Sequence, residues 1–169
     1  YDQIIIIDGR DYPLRSVAEP SKEKSLRGAK DGFVEAMMMN IALLRRRIRD
    51  NALIFKIYAV GEVTKTDVAL AYMKDRADQD MVKKMDQTLK QLRLRGLTVT
   101  EQTLVEALTG KKLSWCNPFP KVRYSQRPDI IAAHVEEGKL AVIVDNSPTV
   151  ILLPAGIFDF LQDIDDYYF

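Results

Sequence analysis

Between Phe33 and Ile48 apolar side chains recur at Val34, Met37, Ile41, Leu44 and Ile48, in steps of three and four. That period predicts a helix over about 33–48 with a single apolar stripe. Period-two or continuous apolar runs predict strands at Ile4–Ile7 and Tyr12–Ala18, joined through Asp8-Gly9. Leu53–Val60 and Asp67–Met73 flank the polar turn 61–66 and are expected to pair antiparallel. Asp78 or Asp80 is placed to open the next helix, with Met81, Val82, Met85, Leu89 and Leu92 on its apolar face and Gly96 as its stop. A short strand Leu97–Val99 after it implies a parallel, right-handed crossover, and Thr100 caps a further helix through Leu108. Pro118 and Pro120 break regular structure over 110–125 and rigidify it. Arg127-Pro128-Asp129 then leads a helix carrying Ile130, Ile131, Ala133 and Val135 to a stop at Gly138. Leu140–Val144 and Thr149–Leu153 flank the turn Asp145-Asn146-Ser147-Pro148. The expected fold is α/β: a mixed sheet packed by helices in two or three layers.

A chain of 169 residues, 47% hydrophobic, is long enough for one compact domain with a sizeable core. Its 25 basic and 24 acidic residues nearly cancel, so total charge argues for neither a nucleic-acid binder nor an acidic tail. Local charge is less even. Positive residues gather between Lys22 and Arg49, whereas Asp159, Asp163, Asp165 and Asp166 crowd the end of the chain. The single cysteine, Cys116, excludes an internal disulfide, and with His134 as the single histidine any zinc site or Cys/His nucleophile would rest on those two alone. No apolar run reaches the roughly 18 residues that a membrane helix requires. Both ends read as cut: a strand starts almost at residue 1, and Tyr168-Phe169 closes the chain. More protein is expected on each side.

Among candidate sites, Asp8 and Asp145 follow apolar strands, where α/β enzymes often keep a carboxylate, but both also read as turn formers, and no second catalytic group lies nearby. Gly28 and Gly32 lack the strand and spacing of a dinucleotide loop. Met37, Met38 and Met39 read as core filling rather than as a pliable binding surface. His134, beside two glutamates, reads as an exposed helical residue. The concentrated feature is Arg45, Arg46, Arg47 and Arg49. Cations suit a helix C-terminus. Four in five positions exceed what capping needs, and because neighbours on a helix diverge by about 100°, they point in different directions. No aromatic interleaves with them, so phosphate and base stacking is disfavoured against salt bridges to protein carboxylates.

Collinear motifs resemble the N-terminal region of the A subunits of the GerA family of spore germinant receptors. They run through Glu19-Pro20, Leu26-Arg27-Gly28, Gly32-Phe33-Val34-Glu35, Asn40 to Ile48, Thr64-Lys65-Thr66, Asn117-Pro118-Phe119-Pro120, Arg127-Pro128-Asp129, Glu137-Gly138, Val144-Asp145, Pro154 and Asp166-Tyr167-Tyr168. Departures at Ala29-Lys30-Asp31, Ser21 to Lys24 and Ser125-Gln126 point to a paralogous branch of the family and away from direct germinant sensing.

The resemblance implies a non-enzymatic domain of a spore inner-membrane protein, facing the spore core, that mediates oligomeric assembly and passes a signal to an ion channel. Residues 1–9 would be the last strand of a preceding subdomain or a linker, and 10–169 the second N-terminal subdomain, ending just before a membrane region. Other copies of the subunit and companion membrane subunits are the implied partners, with no cofactor, no metal and no nucleic acid. Interface contacts or structural ion pairs are expected at Arg27, Glu35, Asn40, Arg45, Arg46, Arg47, Arg127 and Asp129. The competing reading is a regulatory domain that binds a small ligand in a cleft of the sandwich.

Overall fold

The structure is a computed structural model and describes residues 16–17, 29–61, 65–92, 104 and 122–154. The expected strands 4–7 and 97–99, the Pro118/Pro120 loop, Cys116, Asp8, Arg27 and the acidic C-terminal stretch lie outside them.

Five strands are described: β1 (Leu53–Val60), β2 (Thr66–Met73), β3 (Arg123–Ser125), β4 (Leu140–Val144) and β5 (Val150–Leu153). They form one sheet in the order β1-β2-β4-β5-β3, and every described pairing is antiparallel. β1 and β2 pair over their full length, from Leu53 opposite Met73 to Val60 opposite Thr66. The strand β3 lies within the stretch expected to be a loop. Two of its three residues are polar and its ladder comes wholly from β5, so no local pattern announces it.

Helices cover both faces. On one, α1 (Met37–Arg47) and α3 (Pro128–Glu136) lie over Ala69, Ala71, Met73, Ala141, Ile143, Val150 and Leu152. Three alanines there let the helix axes come close to the sheet. On the other, α2 (Gln79–Gln91) presents Val82 and Leu89 to Val68, Leu70, Tyr72, Leu140, Val142, Val144 and Ile151. Leu104, the one described residue between 93 and 121, is helical and buried on this second face. Burial on both faces explains why β4 and β5 read as unbroken apolar runs instead of alternating. The result is an α/β fold of three layers.

Two helices are specified by their own residues. Asp78 caps α2, accepting from the Asp80 and Met81 N–H groups at 2.9 and 3.3 Å. Pro128 starts α3 without sacrificing an intrahelical donor. Gly138 ends it in the left-handed region (φ 97°), with the Gly138 and Lys139 N–H groups donating back to Val135 and His134 carbonyls. A Cβ at Gly138 would lie 2.6 Å from the Arg76 carbonyl oxygen, so both backbone angle and space demand glycine.

Candidate functional site

The helix expected from Phe33 begins at Met37, because the backbone just before it is engaged elsewhere. The Phe33 N–H donates to the Gln126 carbonyl at 2.9 Å. Both peptide groups of Val34 are taken by one side chain: its N–H donates to Asn40 Oδ1 at 2.8 Å, and its carbonyl accepts from Asn40 Nδ2 at 2.6 Å. Asn40, fully buried, thereby imitates a strand partner. The Glu35 carbonyl accepts the Asn146 N–H at 2.8 Å. With Ala36 unable to cap, the Met37 N–H instead donates to Asp145 Oδ1 at 3.0 Å, across 108 positions of sequence. A carboxylate there also faces the positive end of the helix dipole.

Residues 31–36 are thus clasped from three directions. Asp145 and Asn146 come from the β4–β5 turn, where Asn146 adopts the left-handed conformation (φ 64°) and the Asp145 N–H is tied to the Asp67 carbonyl on β2 at 2.9 Å. Gln126 precedes α3, whose Arg127 guanidinium forks onto Asp129 at 3.2 and 2.7 Å while its N–H donates to Ser125 Oγ. Asn40 comes from α1 itself. Asp145, read from sequence as a turn former, is at once that and a remote helix cap.

The arginine cluster divides by direction. Arg45 turns back to β1, donating to the Asp50 and Leu53 carbonyls at 2.9 and 2.7 Å and lying 5.2 Å over the Phe55 ring. Arg47 pairs with Asp31 at 2.5 Å, both side chains about four-fifths buried, and its guanidinium holds the Asp31 carboxyl below the usual carboxylate range against the opposing effect of burial. That pair is incompletely satisfied: Asp31 Oδ2 and Arg47 Nη1 are buried without hydrogen-bond partners among the described residues. Arg46 and Arg49 are exposed, and among the described residues the Arg46 guanidinium has no hydrogen-bond or ion-pair partner. Among the described residues the Arg49 guanidinium makes one hydrogen bond, to the Arg46 carbonyl at a long 3.4 Å.

Three expectations need correction. His134 is buried, not exposed. Its Nε2 lies 3.0 Å from Arg123 Nη1, and its Nδ1 lies 3.0 Å from Glu137 Oε2 and 3.3 Å from Lys139 Nζ. The spacing Ile131, His134, Val135 was the available signal for a buried face. Ala133, expected on the apolar face, is exposed, and Ala132 takes its place. Met37 is core, but Met38 and Met39 are 64% and 39% exposed.

A second polar centre ties α2 to β1. Asp86 accepts from Lys90 at 2.7 Å and Tyr58 at 2.6 Å, with Lys56 at 3.4 Å. The Lys90 hydrogen bond first, then that of Tyr58, lowers the Asp86 carboxyl to about 2, while burial first and Asp86 second push the Tyr58 hydroxyl up. None of these groupings is a metal cluster: among the described residues no three His, Cys, Asp or Glu side chains are arranged to hold an ion. Nor is any described helix long and apolar enough to cross a membrane.

A helix-covered antiparallel sheet of this kind is found in a spore germination protein. Its N-terminal-domain counterpart in the A subunit of the Bacillus megaterium spore germinant receptor GerK3, known from a crystal structure, superposes with a TM-score of 0.57 at 32% identity, over 75% of this chain and 97% of that one. The sequence profile described as Bacillus/Clostridium GerA spore germination protein matches residues 1–169, and the chain belongs to this family. It is 46% identical over 162 residues to stage V sporulation protein AF of Bacillus subtilis, covering 96% of this chain and 32% of that protein. To spore germination protein KA of the same organism it is 33% identical, covering 99% of this chain and 30% of that protein. The chain therefore spans about a third of the length of these relatives.

Proposed function

We propose that this chain is a non-enzymatic domain of a spore inner-membrane germination protein, facing the spore core, that mediates oligomeric assembly and passes a signal towards an ion channel. The observation that carries the reading is the clasp. Residues 31–36 lead the chain into α1, and they are held by hydrogen bonds from α1, the β4–β5 turn and the stretch preceding α3. A displacement of the entering chain is then delivered to both helices and to the sheet centre instead of being absorbed in a loop. Membrane attachment is assigned to chain beyond these residues, in keeping with a B. subtilis relative, 34% identical and 31% covered, that is named a membrane protein. Arg46 and Arg49 supply charge for a partner surface, whereas Arg45, Arg47 and Arg127 act as internal ties.

The test is Asp145→Ala in the full-length protein. The loss of one helix cap leaves the domain folded but frees the start of α1 from the β4–β5 turn. Spores carrying it are expected to germinate severalfold more slowly with unchanged protein abundance. Normal germination kinetics with the clasp opened would refute transmission through this segment.

A further inference from the structure

We propose that the outward face of α1 is a docking surface for a second copy of this chain, which offers its acidic, aromatic-rich segment 157–169. The inference rests on the assembly reading above and names the surface and the partner segment. Met38, Ala42 and Arg46 follow at four-residue steps and form one line along the helix, with Met39 two turns from Arg46. All four are exposed, the two methionines by 64% and 39%. Isolated apolar residues on a surface are ordinary. Here adjacent methionines lead into Arg46 and Arg49, whose charged ends have no carboxylate partner among the described residues. Methionine and arginine are enriched at protein interfaces and lysine is depleted, and the basic residues of this helix end are all arginine.

The occupant follows from chemistry that the same sequence carries. Segment 157–169 holds Asp159, Asp163, Asp165 and Asp166 with no lysine or arginine, interleaved with Phe158, Phe160, Tyr167, Tyr168 and Phe169. Thioethers pack favourably against aromatic rings, and guanidinium groups pair bidentately with carboxylates. Both halves of the α1 stripe therefore find their complement in one stretch. Free phosphate would satisfy the arginines and leave the methionines in water, which favours a segment that carries both carboxylates and rings.

The experiment uses the full-length protein in a Cys116→Ser background, with Ala42→Cys in copies bearing one tag and Asp163→Cys in copies bearing another. Mild oxidation of the mixture is expected to give a doubly tagged dimer. Arg46→Glu with Arg49→Glu should lower its yield about tenfold, and Asp159→Arg with Asp166→Arg on the partner should restore it. Amine crosslinking of the same samples reports assembly independently. Normal assembly without the 42–163 bond, or a bond formed within a single chain, overturns this docking surface and leaves the assembly reading standing. Absence of any assembly overturns both.

Discussion

The two faces of the sheet bury similar apolar layers but are organised by different means. Beneath α2, order is local: Asp78 caps the helix from the adjacent position, and a single carboxylate, Asp86, reaches across to β1. Beneath α1 and α3, order is imported. The first helix has no cap of its own and takes Asp145 from 108 positions away, while Asn40 satisfies a peptide that no strand reaches. A helix with its own cap carries its start signal in its own sequence. One whose start depends on distant groups forms only when the whole domain is in place, which makes the α1 face the natural place for a contact that must report on its surroundings.

The sharpest break in that comparison is Asn40→Leu. The side chain is similar in size and apolar, yet it leaves the Val34 N–H and carbonyl buried and unpaired, at about 1–3 kcal/mol each. A loss of about 3 kcal/mol or more in denaturant unfolding is expected. A loss below about 1 kcal/mol would mean that the entry segment finds other partners easily and is not held by α1. Next comes Gly138→Ala, which puts a Cβ against the Arg76 carbonyl in a left-handed conformation and should cost about 2 kcal/mol by the same measurement.

What could be read from the sequence follows the same division. β1, β2, β4, β5 and α2 were legible because their apolar runs, turn residues and cap lie side by side. The start of α1 was placed four residues early because Phe33 and Val34 continue its apolar spacing, and the hydrogen bonds that hold them and Glu35 out of the helix come from Gln126, Asn40 and Asn146. Individual directions within the arginine cluster were not legible either. Whether an arginine folds onto Phe55, meets Asp31 or stays in solvent depends on where β1 and the entry segment pass.

A matched pair of caps isolates the contrast. Asp78→Ala and Asp145→Ala each remove one helix cap, and each should cost about 1 kcal/mol. Combined with Asn40→Leu they should behave differently. Asp145 and Asn40 hold Met37 and Val34, three residues apart in one segment, so their effects should deviate from additivity by about 0.5 kcal/mol or more, whereas Asp78 on the opposite face should add simply. Equal additivity in both double variants would erase the distinction drawn between imported and local order.

The smallest expected effect concerns acid. Asp86 has its folded carboxyl lowered from 3.8 to about 2, chiefly through Lys90 and then Tyr58. A carboxyl more acidic in the folded state contributes stability that is complete above its unfolded value and disappears as pH falls through its folded one. The contribution of Asp86 should therefore be intact above 3.8 and fade towards about 2. Asp86→Asn keeps the Tyr58 hydrogen bond available but removes the titration, so its unfolding curve should vary less with pH across that window than that of the parent protein. The Asp31 carboxyl, lowered by Arg47, responds in the same sense, so Asp31→Asn should flatten the acid limb further. If only Asp31→Asn changes the limb, the α2 face is held by its apolar contacts, and Asp86 merely decorates them.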